Sequence, residues 1–106
     1  MKERDLISLV IPCYNEQESL PYLYPELQKI ADELREFEFE FLFINDGSSD
    51  YTSDILLKYA KSDPRVRYFG FSRNFGKEAA MFAGFCNARG PYRRAQDSLL
   101  VRKAFL

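Results

Sequence analysis

The sequence predicts an α/β fold, in which a parallel sheet of three strands carries helices on its faces in the order β-α-β-α-β-α. Short apolar runs rich in β-branched and aromatic residues alternate along the chain with longer stretches of helical period. Turn-forming residues separate these segments. Such alternation favours parallel strands joined by right-handed crossovers. The 106 residues are enough for one domain.

The first strand is predicted at Leu6–Ile11 and ends at Pro12, where the fixed φ of proline turns the chain. The first helix begins near Leu20. Its apolar residues have helical spacing: Leu20, Leu23, Leu27, Ile30, Ala31 and Leu34. Pro21 and Pro25 both suit the start of this helix, and Pro25 could be its true first-turn residue.

The second strand is predicted at Phe39–Ile44, where alternating phenylalanines indicate core packing. A turn at Asn45–Ser48 follows it. Either Ser49 or Asp50 can then cap a second helix. The apolar residues of that helix are Ile55, Leu56, Tyr59 and Ala60.

Ser62–Pro64 breaks the second helix, and Val66–Phe71 is predicted as the third strand. The third helix is predicted at Phe75–Ala88. We expect the following residues on or near its core face: Ala79, Ala80, Phe82, Ala83 and Phe85.

Composition excludes several function classes. The net charge of −1 argues against a nucleic-acid partner bound through phosphates. The chain has no histidine, and Cys13 and Cys86 are far apart, which excludes a Cys/His zinc site and Ser-His or Cys-His catalysis within it. We expect both cysteines to be inert. Without a signal-like start or a long apolar stretch, the expected location is cytoplasmic.

Polar residues collect after each predicted strand, at 12–16, 45–48 and 72–78. In open parallel sheets, ligands bind beyond the carboxyl ends of the strands. Three loops should therefore meet at one ligand-binding edge.

These loops carry the motifs IPCYNE, INDGSSDYT and SRNFGKEAA. Together they resemble the opening motifs of family 2 glycosyltransferases of the GT-A fold. The resemblance is strongest to the branch that loads sugars onto polyprenyl phosphates, which includes dolichol-phosphate mannose synthases and bactoprenol glucosyltransferases. It covers residues 6–90 and implies that residues 1–90 are the N-terminal nucleotide-sugar-binding part, from the Rossmann-like half of the domain.

The resemblance implies that a UDP- or GDP-sugar binds at this edge. Pro12, Tyr14 and Glu16 would surround the base and ribose, where a tyrosine can stack and a glutamate can accept hydroxyl hydrogen bonds. The alternative is that Tyr14 is an ordinary loop aromatic and Glu16 an acid favoured at a helix start. Asp46 would accept a ring N–H of the base, a role compatible with that of a turn-forming aspartate. Asn45 stands where many relatives carry a second acid.

Arg73 and Lys77 lie just before or in the first turn of the third helix. Positive charge is unfavourable at a helix N-terminus, whose backbone N–H groups favour anions. Two cations there make sense if a diphosphate binds. The alternative is that both are solvated surface cations, with Lys77 partly neutralised by Glu78.

After Gly90 the family pattern calls for an Asp-x-Asp motif that holds Mg²⁺ or Mn²⁺, followed by the catalytic base. Residues 91–106 instead carry four basic residues and one acid, Asp97. We therefore expect no catalytic or metal residue in this chain and a basic tail at 91–106 that is unrelated to the family. A truncated or frame-shifted gene product is favoured over a genuine short protein with a basic terminal helix.

The predicted function is that of a truncated glycosyltransferase, of the type transferring a hexose from a nucleotide-diphosphate sugar to a polyprenyl phosphate in cell wall or polysaccharide biosynthesis. We expect the chain itself to be inactive and to self-associate through an exposed sheet edge. Full-length relatives would act at the cytoplasmic face of the membrane. The alternative is a non-catalytic nucleotide-binding or interaction module. A flavodoxin-like or response-regulator domain fits less well, because Asp46 alone does not make an acidic phospho-acceptor pocket.

Overall fold

The computed structural model describes residues 4–89, which form a three-layer α/β arrangement. Six elements follow one another: β1 (Asp5–Cys13), α1 (Leu20–Glu33), β2 (Phe37–Asn45), α2 (Thr52–Ser62), β3 (Val66–Gly70) and α3 (Lys77–Asn87). The three strands are parallel, in the order β1-β2-β3. The α/β fold and the order of its elements are therefore confirmed.

The register of the sheet brings the carboxyl ends of the strands level with one another. Cys13 pairs with Asn45, and Asn45 pairs with Gly70 on its other side. Because all three strands run in the same direction, the loops that follow them leave from the same edge. This edge is where the predicted site residues lie.

The two faces of the sheet are covered by different helices. Alternate residues of a strand point to opposite faces. Phe39, Phe41 and Phe43 belong to the core cluster that contains the buried residues of α1 and α2, whereas Leu42 and Ile44 pack with Ala80 of α3. Core packing by the three phenylalanines is therefore confirmed.

β1 continues through Pro12 and does not end there, so the predicted boundary is wrong. Pro12 pairs with Ile44 in the register of the sheet. The backbone carbonyl of Cys13 accepts the Asp46 N–H, so the backbone groups of Cys13 face β2. The backbone groups of Pro12 face away from β2. Among the described residues no strand lies on that side, so the N–H that proline lacks would not have formed a hydrogen bond within the sheet.

α1 begins with Pro21 in its first turn, but Pro25 lies inside the helix, so the prediction for Pro25 is wrong. The buried residues of α1 are Leu20, Tyr24, Leu27 and Ala31. Tyr24 stacks on Tyr59 at 3.9 Å between ring centroids. Ile30 and Leu34 are exposed, because the helix turns the Tyr24 face toward the sheet.

The predicted cap of α2 is replaced by a different arrangement. Tyr51 occupies the N-cap position without a side-chain cap bond, and the helix begins at Thr52. The Asp50 carboxylate still accepts the Thr52 N–H at 2.9 Å, but it also accepts the Gln17 N–H at 3.3 Å. Asp50 therefore joins two loops.

α3 begins at Lys77, two residues later than predicted, with Gly76 at its N-cap. The prediction that Phe82 lies on the core face is wrong, since this side chain is 71% exposed. The buried positions are Ala80 and Gly84. A Cβ at Gly84 would lie 2.0 Å from Cγ1 of Val10, so a side chain there would prevent α3 from lying this close to β1.

Candidate functional site

The loops after β1, β2 and β3 enclose a cavity of about 390 Å³ at the carboxyl edge of the sheet. Eight residues line it: Pro12, Cys13, Tyr14, Glu16, Asp46, Asn74, Gly76 and Lys77. Five of the six residues predicted for the site are among them. Tyr14 is half exposed, whereas Pro12 is buried at the base of its loop.

The first two loops are joined by bonds between side chains of one and backbone of the other. The Glu16 N–H donates to the Thr52 hydroxyl at 2.8 Å, and this hydroxyl donates to the Asp50 carboxylate. Asn15 is bonded to the loop after β2 as well. The backbone that carries Tyr14 and Glu16 is therefore held in place by the start of α2.

Asp46 joins the loop after β2 to the loop after β3. Its side chain is 2% exposed. Oδ1 accepts the Phe75 N–H at 2.8 Å, and Oδ2 accepts the Gly76 N–H and an Asn74 amide N–H, each at 3.0 Å. An ionised carboxylate has about four acceptor positions, so roughly one remains, on Oδ1. Asp46 therefore organises the loop after β3 and is also a lining residue of the cavity.

Gly47 allows these two loops to approach each other. Its φ is +69°, in the left-handed region that favours glycine. A Cβ at this position would lie 2.2 Å from the backbone carbon of Arg73 and 2.4 Å from the backbone nitrogen of Asn74. The INDG turn can therefore touch the loop after β3 only because residue 47 has no side chain.

The structure separates the two predicted cations. Lys77 is the first residue of α3 and lines the cavity. Arg73 lies four residues earlier and is not among the lining residues. Its guanidinium lies 4.7 Å from the centre of the Phe75 ring, an arrangement typical of a cation–π contact.

Sequence reasoning missed Cys13, Asn74 and Gly76 as lining residues. Burial raises the pKa of the Cys13 thiol to about 12, and the nearby Glu16 carboxylate adds to this, so the thiol stays neutral. This agrees with the prediction that it is chemically inert. The spacing of the motifs contained a usable signal for Asn74 and Gly76, because both belong to SRNFGKEAA beside predicted residues.

A larger cavity, of about 720 Å³, lies toward the amino ends of the strands. Charged residues line much of it, and several are paired with one another. Arg4 bonds to Glu38 at 3.2 Å, and the buried Glu40 binds Arg89. This cavity contains no residue predicted for the site.

The residues present do not fit a metal ion. Within residues 4–89, no cluster of three or more acidic, cysteine or histidine side chains is placed to hold one. Asp46 and Glu16 share the cavity, but Asp46 is already bonded to three N–H groups. Over the same range, no helix has the length and apolar character needed to cross a bilayer.

The sequence is similar to known glycosyltransferases over most of its length. The family model described as Glycosyl transferase family 2 matches residues 8–98. A prophage bactoprenol glucosyl transferase homolog of Escherichia coli (strain K12) is 49% identical over 84 residues, which are 79% of this chain and 27% of the relative. The putative glycosyltransferase CsbB of Bacillus subtilis (strain 168) is 38% identical over 104 residues, 98% of this chain and 31% of the relative.

Two solved structures share the fold. S. aureus TarS has a TM-score of 0.66 at 24% identity, covering 83% of this chain and 25% of that one. The mannosyltransferase PcManGT from Pyrobaculum calidifontis, in complex with GDP-Man and Mn²⁺, has a TM-score of 0.60 at 18% identity, covering 99% of this chain and 33% of that one. The predicted GT-A fold is confirmed. The chain spans about a quarter to a third of these proteins, and since the family model matches most of it, the chain belongs to glycosyl transferase family 2.

Proposed function

We propose that this chain is the nucleotide-sugar-binding part of an enzyme that transfers a hexose from a nucleotide-diphosphate sugar to a polyprenyl phosphate. The observation that carries the proposal is the convergence of three family motifs on one cavity. The name of the 49%-identical relative, a bactoprenol glucosyl transferase homolog, supports the acceptor class. The fold neighbour solved in complex with GDP-Man and Mn²⁺ supports a nucleotide-sugar donor.

Tyr14 and Glu16 are assigned to the base and ribose. Half-exposed Tyr14 offers a ring face at the cavity, and Glu16 offers a carboxylate to the ribose hydroxyls. Asp46 accepts a ring N–H of the base on the one acceptor position that its loop bonds leave. A single position suits the one ring N–H of uracil better than the adjacent N–H and amino group of guanine, so a UDP-sugar is favoured over a GDP-sugar.

Lys77 is assigned to the diphosphate. It stands at the first position of α3, where the helix dipole favours an anion. Arg73 contributes more weakly, because it is not a lining residue and its guanidinium lies over the ring of Phe75.

The acceptor site, the metal ligands and the catalytic base belong to parts of the complete enzyme outside this chain. The relatives are about three times as long as this chain. We place the boundary of the nucleotide-binding part at residue 90, with a basic tail at 91–106 that departs from the family, although the family model's match continues to residue 98. In the complete enzyme, the reaction takes place on the cytoplasmic face of the membrane.

Binding of nucleotides to the purified chain tests the assignment. We expect UDP to shift the NMR signals of Tyr14 and Asp46, with GDP binding more weakly. Asp46→Ala should weaken both uridine and UDP, because it removes the acceptor for the base and the bonds that hold residues 74–76 before Lys77. Lys77→Ala should weaken UDP several-fold and uridine little, because only UDP carries the diphosphate. Shifts confined to residues 91–106, or none at millimolar nucleotide, would refute the site.

Catalysis by the chain alone is not expected. Without the Asp-x-Asp motif that the family pattern calls for after Gly90, the charge that develops on the departing diphosphate lacks its main electrostatic stabilisation. No transfer of labelled sugar to polyprenyl phosphate should be measurable with Mg²⁺ or Mn²⁺. Metal-dependent turnover by the 106-residue chain would contradict the truncation hypothesis. Tight nucleotide binding without turnover, by a stable monomer, would favour the alternative of a non-catalytic nucleotide-binding module.

A further inference from the structure

Asn15 stands between two residues of the cavity but does not line it. Tyr14 and Glu16, on either side, are lining residues. Asn15 has a φ of 52°, the only positive value at a non-glycine residue in the described part of the chain. Residues with a Cβ seldom adopt this backbone conformation, and asparagine tolerates it better than most. The chain is therefore bent at Asn15 in a way that its surroundings must maintain.

The surroundings that maintain this bend are two serines of the loop after β2. The Asn15 N–H donates to Oγ of Ser48 at 3.0 Å. Oδ1 of Asn15 accepts the Ser49 N–H at 2.8 Å and the Ser49 hydroxyl at 3.3 Å. Backbone and side chain of one residue thus bind the same loop, an arrangement that we call the Asn15 latch.

The latch is connected to the rigid sheet. The Ser48 N–H donates to Oδ1 of Asn45 at 3.1 Å. The amide of Asn45, which is 4% exposed, donates to the Tyr68 hydroxyl at 3.2 Å. The position of Asn15 is therefore set through β2 and β3, not only by its own loop.

The latch contributes little to the stability of the fold. Its bonds are exposed, and a hydrogen bond of this kind contributes about 1 kcal/mol or less. The left-handed conformation costs roughly 1–2 kcal/mol, which offsets much of that gain. Strained backbone held by specific contacts beside a ligand cavity is a reason to look for a functional role. The effect of the latch is therefore on geometry, because it fixes the directions in which the side chains of Tyr14 and Glu16 leave the backbone.

We propose that Asn15 is a positioning residue, whose latch holds Tyr14 and Glu16 at the cavity before the nucleotide arrives. This inference rests on the proposed function. A loop that is already ordered loses less conformational freedom on binding, so the latch raises affinity without touching the ligand.

Three substitutions separate the components of the latch. Asn15→Asp keeps the acceptor oxygen and tolerates a positive φ. Asn15→Gly keeps the backbone conformation accessible but removes the acceptor, and Asn15→Ala removes both. Gln17→Ala is the matched control, because Oε1 of Gln17 accepts the Tyr51 N–H at 2.9 Å in another exposed link between the same loops, away from the cavity lining.

A measurement without ligand decides whether Asn15 positions the loop. We expect the Ser49 amide to exchange its hydrogen faster in Asn15→Ala and Asn15→Gly, and ¹⁵N relaxation to show increased motion at Tyr14 and Glu16. Asn15→Asp should behave like the parent chain. Unchanged exchange and relaxation in Asn15→Ala would overturn the proposal whether or not nucleotide binds.

A second measurement, the affinity for UDP, decides whether the positioning matters. We expect Asn15→Ala to lose about tenfold, Asn15→Gly a smaller factor, and Asn15→Asp and Gln17→Ala less than about twofold. An equal loss in Gln17→Ala, or parent-like affinity in Asn15→Ala, would overturn the proposal. Absence of UDP binding by the parent chain would instead overturn the proposed function, and the ligand-free measurement would still decide the role of Asn15.

Discussion

Asp46 holds a loop of the fold in place and also lines the candidate cavity. The resemblance implied a base-recognising carboxylate, and the turn sequence Asn-Asp-Gly-Ser implied a loop-forming one. Three N–H groups of residues 74–76 occupy most of the carboxylate, so the structure shows the loop-forming role, and base recognition stays a prediction. The residue type and its place after a strand were readable from the sequence. Its bonds to a loop 28–30 residues away were not.

A substitution at Gly47 tests whether the contact between the loops after β2 and β3 requires glycine at this residue. Gly47→Ala should destabilise the chain by about 1–3 kcal/mol, because a Cβ would clash with the backbone of Arg73 and Asn74 and because φ is positive. Gly76→Ala is a comparison for strain without contact, since its φ of 105° and ψ of 157° lie in a region essentially restricted to glycine, whereas a Cβ there would meet nothing within 4 Å. Urea unfolding measures both. A loss well below about 1 kcal/mol in Gly47→Ala would show that contact between the loops does not make glycine necessary at residue 47.

At the scale of elements, the contact between α1, the end of α2 and the start of β3 depends on the buried carboxylate of Asp63. Asp63 accepts the Tyr24 hydroxyl at 2.7 Å and the Arg65 N–H at 3.0 Å, and it forms an ion pair with the Arg65 side chain. Burial alone would raise the pKa of Asp63, but the hydrogen bonds from Arg65 and Tyr24 outweigh it and lower this pKa from 3.8 to about 2. The carboxylate therefore stabilises the fold in its charged form.

The lowered pKa of Asp63 predicts how stability depends on pH. Its contribution should be complete above about pH 4 and should be lost as the pH falls toward 2, because the unfolded chain takes up the proton first. Urea midpoints measured between pH 2 and 5 would show this decline. Asp63→Asn should be less stable at pH 5 and should have a flatter profile. A profile as steep as that of the parent chain would assign the decline to other carboxylates.

The order and type of the six elements within residues 4–89 were predictable from the sequence, because short runs of β-branched and aromatic residues alternate with longer stretches of helical spacing. The boundaries were harder, and the errors have physical causes. Pro12 could remain in β1 because its missing N–H faces the outer edge, and Phe82 could be exposed because the close contact of Gly84 with Val10 sets which side of α3 meets the sheet. Both causes are tertiary contacts or the position of a strand in the sheet, and neither can be read from the local sequence.

For the molecule as a whole, the residues of the candidate site could be predicted from the sequence where they belong to the three motifs. Topology brings the ends of parallel strands together, so three polar loops had to meet. The different placements of Lys77 and Arg73, and the latch at Asn15, depend on contacts between loops. Residue types alone cannot show which of two nearby cations faces a cavity.

The edges of the sheet bear on how the whole molecule behaves in solution. Among the described residues, β1 and β3 are both edge strands, and β1 is nine residues long and rich in β-branched and aliphatic side chains. In the described part of the chain, no further strand lies beside β1 on the side away from β2. The chain also spans only 27% of its E. coli relative. A long apolar edge of this kind is a template for pairing with another chain.

We therefore expect the purified chain to self-associate. Deleting residues 91–106 should not abolish this, because the edge of β1 lies outside the deleted segment, whereas Val10→Pro should reduce it at some cost in stability. The Val10 backbone faces away from β2, as that of Pro12 does, so a proline there removes an outward N–H without breaking the β1–β2 ladder. Analytical ultracentrifugation over a wide concentration range would decide. A parent chain that stays monomeric throughout would contradict this prediction and would mean that the edge of β1 is covered.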